Sequence, residues 1–200
     1  MQGLPSDNFS AENGVLIMQS TKPPYVIDPQ KQAVKWLKRY MTEDPNLKGQ
    51  LLQLNTKDAS YLAKIELAVR SGQIVILEDV TENIDPALDP IIMKQIIRKG
   101  GRNIIKIKEK EIEYNDNFRI FMFTRQNNPN LTPELFAKVI IINFSVVREG
   151  LTDQLLSCVV RKENKELEEM KSELVTSTAA KKKQLIALED QILDQLSNSK

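Results

Sequence analysis

From Pro24 onward the apolar residues fall into short continuous runs separated by longer stretches with helical spacing. Tyr25-Val26-Ile27 is a β-type run that stops at Asp28-Pro29. Ala33, Val34, Leu37, Tyr40 and Met41 then recur at helical intervals with Lys31, Lys35 and Lys38 opposite them. This predicts an amphipathic helix with Asp28 as N-cap and Pro29 as its first residue. Leu51 to Leu54 predicts a second strand, and Asp58 opens a second helix through Val69 that stops at Gly72. Ile74-Val75-Ile76-Leu77 is an unbroken apolar run, as expected of a strand covered on both faces. A turn-rich stretch, EDVTENIDPALDP, leads into a predicted third helix from Ile91 to Arg98.

The rhythm then changes to period two. Asn103 to Lys108 and Glu111 to Tyr114 alternate around Glu109-Lys110, which predicts a β-hairpin insertion. Phe118 to Phe123 makes a fourth strand, Pro133 to Lys138 a helical turn, and Val139 to Phe144 a fifth strand. Strands alternating with helices call for an α/β fold, a three-layer parallel sheet with right-handed crossovers. The first 23 residues, with Gly, Pro, Ser and Asn around a short apolar stretch, read as a linking segment. Residues 24–147 then form the α/β body and 148–200 a long helix.

That last stretch holds no proline, and its one glycine, Gly150, stands at its start. Fifty helical residues would span roughly 75 Å. Between residues 161 and 200, eight basic residues balance eight acidic ones. Leu167, Met170, Leu174, Leu185, Leu188 and Ile192 recur mostly at three and four, the spacing of a coiled-coil seam. The interval from Leu174 to Leu185 crosses TSTAAKKK and marks a stutter or a turn. A seam requires a second helix to pack against.

Composition narrows the chemistry. A net charge of +1 argues against a polyanion binder working by bulk electrostatics, and so against nucleic acid as a partner. The densest apolar run is far too short to cross a bilayer, so no membrane role is expected. There is no histidine, which removes the commonest general base and every histidine-containing metal site. The single cysteine, Cys158, excludes an internal disulfide framework and suits a reducing compartment.

A sheet of this order invites the question of a nucleotide site. A phosphate-binding loop belongs between the first strand and first helix, where glycines expose N–H groups and a lysine reaches the phosphates. No glycine stands there; Lys31 is alone, and Asp28 would set a negative charge beside incoming phosphates. Glu78-Asp79 follows the third strand, where such folds keep carboxylates for magnesium. Arg125, with Asn127 and Asn128, follows the fourth strand and is a candidate γ-phosphate sensor. Lys138, before the fifth strand, is a candidate for reaching a neighbour's nucleotide, although lysine is a poorer match than arginine for that task. Lys31, Glu78, Asp79, Arg125 and Lys138 are therefore candidates for vestiges of such a site, with solvated loop residues as the plainer reading. No catalytic residue and no metal ligand is assigned.

Five stretches in order carry a resemblance: GLPSDNFSAENGV, YVIDPQKQAVKWLK, AVRSGQIVILEDVTENIDPALDPIIMKQ, FRIFMFTRQNNPNLTPEL and VIIINFSVVREGLTDQLLSCVVRKENKELEEMKSELV. Together they resemble the fifth AAA+ module of dynein heavy chains, axonemal more than cytoplasmic. The resemblance implies a P-loop-NTPase-like AAA+ large subdomain without a working nucleotide site, hence not an enzyme by itself. ATP and magnesium would be bound by other modules of an ATP-driven microtubule motor. It implies that the seam helix is the first strand of a strut, the buttress coiled coil, which leans on the microtubule-binding stalk. Partners would be neighbouring AAA+ modules, the stalk coiled coil and, indirectly, the microtubule. The expected location is the cytoskeleton of a cilium or flagellum. A stand-alone degenerate P-loop NTPase and a coiled-coil adaptor remain the alternatives.

Overall fold

The computed structural model describes residue 4, residues 8–43, 49–82 and 84–163, and scattered positions between 166 and 192. Two compact units are present, Met1–Gly150 and Leu151–Lys200. In chain order the elements are α1 (Asn8–Gln19), β1 (Pro24–Ile27), α2 (Gln32–Glu43), β2 (Leu51–Asn55), α3 (Tyr61–Ser71) and β3 (Ile74–Glu78). There follow α4 (Asp89–Ile92), β4 (Ile96–Lys99), β5 (Arg102–Ile107), β6 (Lys110–Glu113), β7 (Arg119–Thr124), α5 (Pro133–Lys138), β8 (Ile140–Asn143) and α6 (Arg148–Glu163).

Five strands pair in parallel in the order β2-β3-β7-β1-β8. The pleat sends alternate residues to opposite faces. Tyr25, Ile27, Val75, Leu77, Ile120 and Met122 join α3, α4 and α5 in one core cluster. Val26, Ile74, Ile76, Phe121 and Phe123 join α1 and α2 in the other. The expected mixed α/β class with a mostly parallel sheet is therefore present. Every residue of β1 and β3 is buried, whereas the edge strands β2 and β8 are only partly covered, as their places in the sheet require.

The linking segment is more ordered than its Gly and Ser punctuation suggests. It forms α1, which buries Ile17 in the α2-side core, and the Asn13 amide donates to the carbonyl of Asn143 at 2.8 Å. The predicted helix from Ile91 to Arg98 is corrected. Helix α4 ends at Ile92, Lys94 takes a left-handed φ of 49°, and Ile96 to Lys99 form β4. The cause lies just downstream: Gly100 and Gly101, with φ of 61° and 79°, form a two-residue turn that pairs Lys99 with Arg102. Paired positive φ values match strand twist, so the glycines recruit Ile96-Ile97 into a hairpin. The predicted hairpin insertion is thus a three-stranded sheet, β4-β5-β6.

Helix α2 starts at Gln32, so Asp28 does not hold the N-cap position and Pro29 is not its first residue; residues 28–31 form a turn closed by Lys31 N–H to the Asp28 carbonyl at 3.2 Å, from which the Asp28 side chain still reaches the helix's first N–H groups. Helix α3 ends where expected, at Gly72 with φ 71°, and a Cβ there would lie 2.6 Å from Cγ of Asn115. Asn115 cannot swing away freely, because its Oδ1 accepts the Asn117 N–H at 3.0 Å. Gly72→Ala is therefore expected to cost about 2–3 kcal/mol, combining left-handed strain with a lost hydrogen bond. Urea denaturation measures it, and an unchanged midpoint would refute the steric account.

In the second unit, α6 continues to Glu163, and the described positions from 166 to 192 are helical. Among the expected seam residues, Met170, Leu174, Leu185, Leu188 and Ile192 are each more than half exposed. Leu167 lies outside the described residues.

Candidate functional site at the C-terminal edge of the sheet

In open α/β sheets the ligand crevice lies beyond the carboxyl ends of the strands, where the strand order reverses. Here that place is formed by the ends of β1, β7, β3 and β2. The backbone N–H of Asp28 donates to the Thr124 carbonyl at 2.9 Å, and that of Val80 to the Phe123 carbonyl at 3.0 Å, which stitches the strand ends together.

Asp28 occupies the N-terminus of α2. Its side chain is buried, Oδ1 accepts the Gln32 N–H at 2.9 Å and Oδ2 the Val34 N–H at 2.9 Å. A helix N-terminus of this kind is an anion site through its free N–H groups and its dipole. The chain fills that site with its own carboxylate. Burial raises the Asp28 pKa above its ordinary value, opposed by the backbone N–H groups of Val34, Gln32, Ala33 and Lys31. Lys31 itself has φ 58°, a left-handed conformation rarely taken by a residue with a side chain.

The two carboxylates after β3 are also occupied. Glu78 is nearly buried; Oε1 accepts from Lys38 Nζ at 2.6 Å and from Gln53 Nε2 at 2.8 Å, and Lys31 Nζ stands 3.8 Å from Oε2. Asp79, at φ 58°, pairs with the Arg125 guanidinium and accepts from Asn55 Nδ2 at 2.8 Å, while Thr56 Oγ1 donates to its carbonyl at 2.7 Å. Four of the five candidates, Lys31, Glu78, Asp79 and Arg125, are thus brought together, and they satisfy one another. Asn127 and Asn128 are exposed in the loop beyond Arg125. Lys138 is not part of this group. It precedes β8, whose start aligns with that of β1, so it lies at the opposite edge of the sheet. There it bridges Glu134 at 2.5 Å and Asp89 at 3.0 Å, and those carboxylates raise its pKa.

A phosphate placed at the N-terminus of α2 would meet the Asp28 carboxylate, and a magnesium ion would compete with Lys38 for Glu78 and with Arg125 for Asp79. Among the described residues no group of three or more Cys, Asp or Glu side chains is placed to hold a metal ion.

Residue reading alone missed Lys38, Gln53 and Asn55. All three are polar residues on buried or half-buried elements, but nothing in their spacing tells that they face Glu78 or Asp79. It also missed Leu151, Leu155 and Val159, which are exposed at intervals of four along α6 and extend the apolar stripe upstream of the seam.

The Arg125–Asp79 pair has a pH signature. The hydrogen bond from Arg125, aided by that from Asn55, lowers the Asp79 pKa below 3.8. A depressed carboxylate contributes stability that is fully present above the ordinary value and is lost as pH falls through the folded one. Arg125→Gln is therefore expected to destabilise the chain at about pH 7 and to lose that effect as pH falls below the ordinary carboxylate range. Equal penalties above and below that range, measured by chemical denaturation, would refute the pairing.

All 200 residues match the family model described as the ATP-binding dynein motor region. The chain is 46% identical over 199 residues to dynein axonemal heavy chain 2 of Mus musculus. It is 42% identical over 199 residues to the dynein-1-beta heavy chain of the flagellar inner arm I1 complex of Chlamydomonas reinhardtii. Against the dynein gamma chain of the flagellar outer arm from the same alga the identity is 36% over 199 residues. Each match covers the whole of this chain and 4% of the relative's length. The family match over all 200 residues and these full-length identities, on a mostly parallel α/β sheet of this order, lead to one assignment: the chain belongs to the ATP-binding dynein motor region family.

Proposed function

We propose that this chain is a structural, non-hydrolysing AAA+ module, the fifth, of an axonemal dynein heavy chain. The observation that carries the reading is the Asp28 carboxylate, buried on the N–H groups of Gln32 and Val34 at the position where an active module receives phosphate. The pairing of Glu78 with Lys38, and of Asp79 with Arg125, supports it from the magnesium side. ATP and magnesium act in other modules of the parent motor. This one transmits their rearrangement as a sector of the ring, in contact with neighbouring modules.

The exposed stripe at Met170, Leu174, Leu185, Leu188 and Ile192 supports the second half of the reading. A stripe of that length is more than a soluble surface ordinarily leaves bare. We assign it to the first helix of a strut that packs against a return helix and leans on the microtubule-binding stalk. The relatives' names, axonemal and flagellar, favour a ciliary or flagellar axoneme as the location.

Titration calorimetry with Mg-ATP tests the nucleotide half. No heat of binding is expected below millimolar ligand; a micromolar dissociation constant would overturn the proposal and favour a stand-alone NTPase. In the full heavy chain, Glu78→Gln and Asp79→Asn are expected to leave ATP turnover within about twofold of the parent. In a live site, loss of either carboxylate costs orders of magnitude.

A further inference from the structure

The hairpin sheet carries a charge excess that the nucleotide reading does not use. Seven lysines and arginines stand against three glutamates between Lys94 and Glu113, a local excess of four in a chain whose net charge is +1. Part of it is compensated: Lys99 pairs with Glu111 at 2.9 Å, Arg102 with Glu113 at 3.9 Å and Lys110 with Glu66 at 3.4 Å. Lys106 and Lys108 enter no ion pair among the described residues.

These two lysines share a groove of about 680 Å³ with Ile97 on β4 and with Asp85, Pro86 and Pro90 from the segment before α4. Ile97 is 59% exposed, an isoleucine left facing solvent in the middle of a paired strand. Asp85, the one acidic group lining the groove, is already engaged: it accepts the Ala87 N–H at 2.9 Å and the Tyr61 hydroxyl at 3.1 Å. Among the described residues the groove therefore offers two cations outside any ion pair and an apolar seat, and the carboxylate in its lining, Asp85, is already hydrogen-bonded.

We propose that this groove docks an acidic segment of the same heavy chain from outside these 200 residues, one that sets an apolar side chain on Ile97 between carboxylates facing Lys106 and Lys108. The chain covers 4% of the length of the relatives it matches, and in a heavy chain of that length the partner segment would come from elsewhere in the same molecule. A hydrophobic contact framed by opposite charges gives both affinity and register. The contact requires membership in a larger heavy chain and does not depend on whether this module binds nucleotide.

Zero-length carbodiimide coupling of the intact purified heavy chain, followed by peptide mass spectrometry, tests it. Lys106 or Lys108 is expected to form amide links to aspartates or glutamates of one segment beyond the 200 residues, within a single molecule. Ile97→Asp places a like charge in the seat and is expected to lower those links at least about fivefold. The Lys99–Glu111 link should persist in that variant, which shows the hairpin still folded. Links from Lys106 and Lys108 only to neighbouring glutamates of the hairpin, no links at all, or links only between two heavy chains would each overturn the proposal. So would unchanged coupling in Ile97→Asp.

Discussion

Replacing Asp28 by alanine is expected to destabilise the α/β body by about 2–4 kcal/mol and to lower its melting temperature by roughly 5–15 °C. The variant strands the N–H groups of Gln32 and Val34 at the start of α2, and the Val34 bond is buried. Unmet buried donors cost about 1–3 kcal/mol each, offset by relief of burying the carboxylate. Asp28→Asn separates these terms, since its amide oxygen can accept one of the two bonds while its NH₂ faces the other donor. It is expected to lose about half as much. The pH dependence has the opposite sign to that of Asp79. Burial raises the Asp28 pKa above 3.8, so the folded state binds its proton more readily than the unfolded one. The cost of the buried charge is fully present above the raised value and relaxes as pH falls toward the ordinary one. The gap between parent and Asp28→Asn should change across that window. Thermal melts at a series of pH values check both points, and an Asp28→Ala chain as stable as the parent would show that the capping geometry contributes nothing.

The second large effect is expected in the motor itself. If the exposed stripe is the strut seam, Leu185→Asp with Leu188→Asp should spare basal ATP turnover and reduce microtubule stimulation at least about fivefold. Each leucine contact buried against a return helix is worth roughly 1.5–3 kcal/mol, comparable to a typical coupling energy of about 1–3 kcal/mol between sites. Both residues are more than half exposed here, so the change does not touch the core of the α/β body. A double variant with unaltered microtubule stimulation removes the mechanical role from this helix. Loss of basal turnover instead would place the residues in the ring's own catalytic cycle.

The strand runs, the helices α2, α3 and α5, and the missing glycines before α2 were all legible from sequence, because they depend on neighbours a few residues apart. Val75 and Leu77 alternate with Ile74 and Ile76 whatever the rest of the chain does, and a run apolar on both faces has to lie inside a sheet. The Asp28 side chain was legible as a cap for the same reason, although it caps from the preceding turn: its partners are four and six residues away. Where local signals competed, they misled. Ile91 to Arg98 has helical spacing, and only the pairing of β4 with β5 across Gly100-Gly101 made half of it a strand. α1 was unreadable because its own pattern is weak, and its helix is held by Ile17 reaching a core built from residues far along the chain.

The character of the crevice was decided by the tertiary structure alone. Lys38 meets Glu78 across 40 residues and Arg125 meets Asp79 across 46, and no periodicity within an element encodes such pairings. The order β2-β3-β7-β1-β8 brings these side chains to one edge and sends Lys138 to the other. Sequence determined that carboxylates and cations follow the strands, since strand ends are where buried apolar runs stop. Only packing determined that they neutralise one another, because charge compensation depends on distance through space and not along the chain.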